Sequence, residues 1–172
     1  MHIFLIGFMC SGKSRVGREL APLLQLPFHD LDRVIEQRVG PIVPFFQRKG
    51  EAAFRAIEAE VLKELTNGSD AVIATGGGTP CEGDNLALMK DAGRVVWLDV
   101  PLVDLMPRIE RSGGDRPLLF GLKGDRLRER VELLLGPRLP VYRKADITVV
   151  ADVLPAMVAE RIRAALDERQ LR

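Results

Sequence analysis

Of the 172 residues, two are cysteine and two are histidine. Cys10 and Cys81 cannot build a disulfide framework, and no Cys/His cluster has the spacing of a zinc site. This usage suits a reducing cytoplasm, which is the expected compartment. No apolar run approaches the ~20 residues of a membrane-spanning helix. With a strand expected from residue 2, no signal peptide is expected. Neither sign of charge is in excess: 25 Lys and Arg face 24 Asp and Glu. A net charge of +1 gives no global field to attract nucleic acid or an anionic membrane. Internal repeats and low-complexity tracts are absent as well. What remains is a single domain, long enough to bury a core without disulfides or structural metal. Its charge is uneven. Residues 105–144 carry ten Lys/Arg and five Asp/Glu, which suits an anionic ligand, although a solvated helical face would account for many of them.

The most informative stretch is Gly7-Phe8-Met9-Cys10-Ser11-Gly12-Lys13-Ser14, a G-x-x-x-x-G-K-[ST] phosphate-binding loop. The run His2 to Ile6 ahead of it reads as a short buried strand. Arg15 to Leu26 after it reads as a helix, with Val16, Leu20, Leu23 and Leu24 on one face. Such a loop wraps a polyphosphate in backbone N–H groups, with the positive end of the helix behind it. Lys13 would reach the β- and γ-phosphates, and the Ser14 hydroxyl would ligate Mg²⁺. A nucleoside triphosphate is therefore the expected ligand.

Further apolar runs at 71–74, 94–98 and 146–150, and a weaker one leading into His29-Asp30, alternate with amphipathic stretches at 51–66, 84–91, 101–111, 123–135 and 154–170. Buried strands between helices predict a parallel sheet covered on both faces, with binding at the carboxyl ends of the strands. Asp30-x-Asp32 ends the second strand. One carboxylate could face Mg²⁺ and the other a substrate hydroxyl, or either could cap the following helix. In Gly50-Glu51-x-x-Phe54-Arg55-x-x-Glu58, Arg55 can pair with Glu51 and Glu58; taken alone, this reads as a surface ion pair worth under about 1 kcal/mol. The run Thr75-Gly76-Gly77-Gly78 makes sense if a ligand approaches the main chain closely. Asp99 is a second candidate for Mg²⁺ or for a helix cap. Ser112 to Gly124, glycine-rich and sparse in apolar residues, reads as a lid carrying Arg116. Arg138-x-Pro140-x-Tyr142-Arg143 adds two arginines before the last strand.

Together, a phosphate loop, a D-x-D, a G-E-x-x-F-R-x-x-E, a triple glycine, an R-P-L-L and an R-x-P-x-Y, in that order, resemble the shikimate kinase family from residue 3 to about residue 165. The resemblance implies an α/β fold of the nucleoside-monophosphate-kinase type: a three-layer sandwich around a five-stranded parallel sheet of order 2-3-1-4-5. It implies a single domain over 1–172, with a substrate-binding helical segment at about 31–60 and a lid at about 112–124. The implied reaction moves the ATP γ-phosphate to the 3-hydroxyl of shikimate, with Mg²⁺ as cofactor, on a monomer with no nucleic-acid or membrane partner. By position, Gly7, Cys10, Ser11, Gly12, Lys13, Ser14 and Arg15 would surround the phosphates, and Arg111 would stack on adenine. Arg116 would close onto the phosphoryl group. Ser14, and Asp30 through water, would hold Mg²⁺. Asp32 would bind the substrate hydroxyls and act as base, alongside Lys13 and Arg116 as catalytic groups. Arg55 and Arg138 would grip the carboxylate, with Gly76, Gly77, Gly78, Phe46 and Phe54 around the ring.

The chain departs from the family pattern at Cys10, where glycine is usual and a side chain would strain the loop or narrow the phosphate cradle, and at Arg15, where threonine is usual. Pro44 is expected to shorten a helix at 42–49. Two other functions fit part of this set. One is a kinase for gluconate or another polyol acid, against which the R-P-L-L segment and Arg138 argue. The other is a non-catalytic ATP-binding module, whose signature would be loss of Lys13, Asp32 or Arg55.

Overall fold

Every residue of His2–Ile6 is buried, and these five residues form strand β1. A strand apolar on both faces needs cover on both faces, and β1 lies in the middle of a five-stranded sheet of order β2-β3-β1-β4-β5. The flanking strands are β2 (Phe28–Asp30), β3 (Val72–Ala74), β4 (Gly93–Asp99) and β5 (Ile147–Val150). All pairings are parallel. The computed structural model describes residues 1–112 and 116–170. The helices are α1 (Lys13–Leu23), α2 (Leu31–Val39), α3 (Ile42–Thr66), α4 (Asn85–Ala92), α5 (Leu102–Arg111), α6 (Gly124–Tyr142) and α7 (Pro155–Gln170). The expected α/β sandwich and its strand order are therefore what the chain adopts.

Register brings the site together. Leu5 and Asp30 both lie opposite Ala74, and Leu5 also lies opposite Val96. The carboxyl ends of β1, β2 and β3 are thus level, and the phosphate loop, α2 and the glycine run leave the sheet side by side. Helix α1 packs against α7, and α2 packs against α3. The core beneath contains Phe4, Leu5, Leu20, Leu31, Ile35, Leu62 and Leu98, each at most 1% exposed. Burying each such side chain contributes roughly 1.5–3 kcal/mol.

Two expectations about helices change. Pro44 does not shorten its helix. It lies in the first turn of α3, two residues after Ile42, where its missing N–H is one that no intrahelical acceptor would meet. The break comes instead at Gly50, whose φ of 83° lies in the left-handed region. The helix expected to stop at 135 runs on to Tyr142 through Pro137 and Pro140. Its buried residues Leu127, Val131, Arg138 and Tyr142 share one face at spacings of four and seven. Packing of that face outweighs the two hydrogen bonds the prolines remove.

Candidate active site

The phosphate loop turns through positive φ at Gly7 (143°), Cys10 (61°) and Gly12 (94°). A cysteine held left-handed carries about 1–2 kcal/mol of strain that glycine would not, so the strain expected at Cys10 is present. Ser11 and Lys13 are buried within the loop, while Arg15 is exposed at its edge. Nζ of Lys13 curls under the loop and donates to the carbonyls of Gly7 (2.8 Å) and Phe8 (2.9 Å). Burial, and then the Arg116 charge, lower its pKa to about 8.

Two chambers open at the sheet's carboxyl edge. One, about 700 Å³, is walled by the phosphate loop, Arg15, Arg108, Arg111 and the β5–α7 turn. The other, about 540 Å³, is walled by Phe46, Phe54, Arg55, Glu58, Arg138 and the glycine run. They share Met9, Ser14, Asp30, Asp32, Gly76, Gly77 and Arg116. Of the expected residues, those assigned to nucleotide line the first chamber except Gly7, and all those assigned to substrate line the second.

At the junction, Ser14 Oγ donates to Asp30 Oδ2 at 2.5 Å. Asp30 stands at the N-cap position of α2, but its side chain makes no capping bond, so the capping alternative is set aside for it. Two hard oxygen donors side by side at a phosphate loop suit Mg²⁺. Asp32, one residue into α2, faces both chambers. Burial raises its carboxyl from 3.8 to about 6, helped by the negative charges of Asp30 and Glu58. Nε of Arg116 is buried without a hydrogen-bond partner among the described residues. Asp99 lines neither chamber, and the residue preceding α5 is Pro101. Neither expectation for Asp99 holds.

The Arg55 pair is not the surface ion pair that its sequence suggests. Nη1 donates to Glu58 at 2.8 Å, and the Glu58 side chain is only 1% exposed. Glu51 and Glu82 stand farther off, at 3.5 and 3.6 Å. Glu58 also accepts from Thr79 Oγ1 at 2.7 Å. Guanidinium groups lie over aromatic rings on both sides of the chamber: Arg55 over Phe54 (5.3 Å) and Arg138 over Phe8 (5.5 Å). Phe46 meets Phe54 at 5.8 Å between ring centroids.

The glycine run lines the substrate chamber, and it is crowded besides. What crowds it is the protein itself. A Cβ on Gly76 would stand 2.8 Å from Glu58 Oε1, and one on Gly77 would stand 3.2 Å from Arg138 Nη1. On Gly78 it would stand 2.6 Å from Arg55 Nη2. Tyr142 OH donates to the Gly77 carbonyl at 2.5 Å, and burial pushes its pKa up.

Sequence reasoning missed Thr79, the burial of Glu58, and Arg108. Arg108 reaches from α5 toward the carbonyls of Cys10 (3.5 Å) and Ala151 (3.4 Å) across the nucleotide chamber. Arg111, expected on adenine, is exposed at the rim and donates to Pro107 O. One turn of helix separates the two, and both line the nucleotide chamber. In the expected lid, residues 113–115 lie outside the described residues. Its described part is less sparse than expected, since Leu119 is 3% exposed and packs into the core.

The fold and the loop define a phosphate-loop protein of the nucleoside-monophosphate-kinase type. The family model for shikimate kinase matches residues 9–167. The shikimate kinase of Aquifex aeolicus is 40% identical over 99% of both chains, and that of Gloeobacter violaceus is 46% identical over 98% of this chain and 94% of its own. A solved structure of shikimate kinase from Acinetobacter baumannii in complex with shikimate is 35% identical, with a TM-score of 0.91 over 99% of this chain and 95% of that one. The chain belongs to the shikimate kinase family. No helix among the described residues is long and apolar enough to cross a membrane.

Proposed function

We propose that this chain transfers the γ-phosphate of ATP to the 3-hydroxyl of shikimate, giving shikimate 3-phosphate and ADP. The observation that carries this reading is the meeting of two chambers at Asp32 and Arg116, one walled by a phosphate loop and the other by two arginines. Arg55 and Arg138 grip the carboxylate of the acid, where planar forks bond best. Phe46 and Phe54 wall the ring, with Gly76, Gly77 and Gly78 beneath it. This anchoring sets a hydroxyl at Asp32. With a pKa near 6, Asp32 is ionised at neutral pH yet basic enough to take a proton in the transition state. Lys13 and Arg116 neutralise charge on the transferring phosphoryl group. Gly7, Cys10, Ser11, Gly12 and Arg15 surround the rest of the polyphosphate.

Ser14 directly, and Asp30 through water, would hold Mg²⁺, which neutralises phosphate charge when bound. We assign residues 116–124, which with Ser112 are the described part of the expected lid, to covering the junction from the side of Pro117 and Leu118. We also assign the protein to the cytoplasm as a monomer, in keeping with its two free thiols.

An ADP-release assay with shikimate, quinate and gluconate side by side tests the reading. Shikimate should be turned over at least about tenfold more efficiently than the others. Preference for gluconate would make the protein a polyol-acid kinase. No release with any acceptor would leave an ATP-binding module.

A further inference from the structure

Thr79 lines neither chamber, so its side chain has no route to a bound ligand. It is nonetheless fully buried, as is Glu58, and its hydroxyl donates to Oε1 of that carboxylate at 2.7 Å. Oε2 of Glu58 accepts from Nη1 of Arg55 at 2.8 Å. Arg55 lines the substrate chamber; its Nε makes no hydrogen bond among the described residues, with Glu82 3.6 Å from it and Glu51 3.5 Å from Nη2, both largely solvent-facing and displaceable by a ligand. Thr79 is itself fixed. Its N–H donates to Gly76 O at 3.2 Å, and its carbonyl accepts from Asn85 Nδ2 at 2.9 Å. Gly76 makes the arrangement possible, since a Cβ there would stand 2.8 Å from Glu58 Oε1 and 2.9 Å from Thr79 Oγ1.

We propose that Thr79 is a positioning residue for recognition of the substrate carboxylate: its hydroxyl holds one Glu58 oxygen away from Arg55, so that the guanidinium keeps its other N–H groups for the ligand. The proposal rests on the reading above that Arg55 grips the carboxylate. Without the hydroxyl, one oxygen of a buried carboxylate is left unsatisfied. The nearest remedy is Arg55. Glu58 turns to meet it with both oxygens, fork to fork, and draws the guanidinium out of the chamber. No atom on this path belongs to the nucleotide chamber, so ATP binding does not feel the change.

The test compares Thr79→Val, Thr79→Ala and Thr79→Ser with Arg55→Lys, by steady-state kinetics in both substrates. Valine and alanine should raise the KM for shikimate about tenfold, with kcat and the KM for ATP within about twofold of wild type. Serine, which keeps the hydroxyl, should restore the wild-type KM. Arg55→Lys should also raise the shikimate KM. If it does and the valine and alanine variants do not, Thr79 only fills space and the proposal is overturned while the reading of Arg55 stands. If Arg55→Lys leaves the KM unchanged, that reading fails and takes the proposal with it. A serine variant as impaired as alanine assigns the effect to the methyl group and likewise overturns the proposal. Should the valine variant not fold, the serine and alanine pair decides the same question.

Discussion

The guanidinium of Arg55 lies so close over Gly78 that a Cβ there would stand 2.6 Å from Nη2 and 2.9 Å from Cζ. Non-bonded atoms do not tolerate such contacts, so Gly78→Ala must displace Arg55. Glu58 holds it from one side at 2.8 Å, which leaves the chamber as the direction of escape. The expected result is a KM for shikimate raised tenfold or more, since a misplacement of about 1 Å can cost on the order of 10²-fold. The KM for ATP should stay put. Steady-state kinetics in both substrates checks this, and an unchanged shikimate KM would separate Arg55 from substrate binding.

Asp32→Asn should lower kcat by roughly 10²-fold or more, because the amide keeps the shape but cannot accept the proton. The same change should stabilise the ligand-free protein. The Asp32 carboxyl titrates near 6 in the fold against 3.8 as its ordinary value. Between those pH values the folded state binds more protons than the unfolded chain, so wild-type stability falls as pH rises through that window. Above about pH 6 the asparagine variant should be more stable by on the order of 2 kcal/mol, after allowance for the solvent-facing chamber. Below about pH 4 the advantage should vanish. Urea denaturation without nucleotide at pH 4 and pH 7.5 reads the difference; a variant equally or less stable at both would mean that Asp32 carries no such strain.

Cys10→Gly should stabilise the fold by up to about 1 kcal/mol. Glycine removes the left-handed strain of about 1–2 kcal/mol but gives back some of it through a more flexible unfolded chain. The positive φ of 61° at this position gives the effect its sign. Chemical denaturation is the measurement. A loss of stability on substitution would show that packing of the thiol against the core outweighs the backbone term.

The sheet was legible because its strands are short apolar runs with little competing signal, and the phosphate loop because its motif dictates the strand and helix around it. Asp30 and Asp32 were legible as carboxylates where β2 gives way to α2, and Arg55 and Arg138 as arginines within their motifs. What sequence could not give was burial. Glu58 reads as a surface partner of Arg55, yet it sits in the core because Gly76 and Thr79 make room and supply a hydrogen bond from 18 or more residues away. Helix α6 was cut short at Gly136-Pro137 because local propensity names a stop there. Its continuation depends on Tyr142 packing against Trp97 at 6.0 Å, a contact between distant parts of the chain. The crowding around the three consecutive glycines was likewise invisible, since the crowding atoms belong to Arg55, Arg138 and Glu58.

Arg108 and Arg111 differ by three residues on α5, and the fold gives them different work. Arg108 spans the nucleotide chamber toward Cys10 O and Ala151 O at 3.4–3.5 Å. These contacts are too long to hold the guanidinium firmly, so its planar face is free to settle on a base. Arg111 is exposed, and its Nε is engaged with Pro107 O at 3.1 Å. Arg108→Ala should therefore weaken ATP binding about tenfold, as expected for loss of a stacked cation worth roughly 1 kcal/mol or more. Arg111→Ala should cost about threefold or less. Shikimate affinity should be unchanged in both, because neither residue lines the substrate chamber. Calorimetric titration of each variant with ATP and with shikimate distinguishes them. A larger loss at Arg111 than at Arg108 would return the adenine contact to the rim residue first expected there and leave Arg108 as a brace between the phosphate loop and the β5–α7 turn.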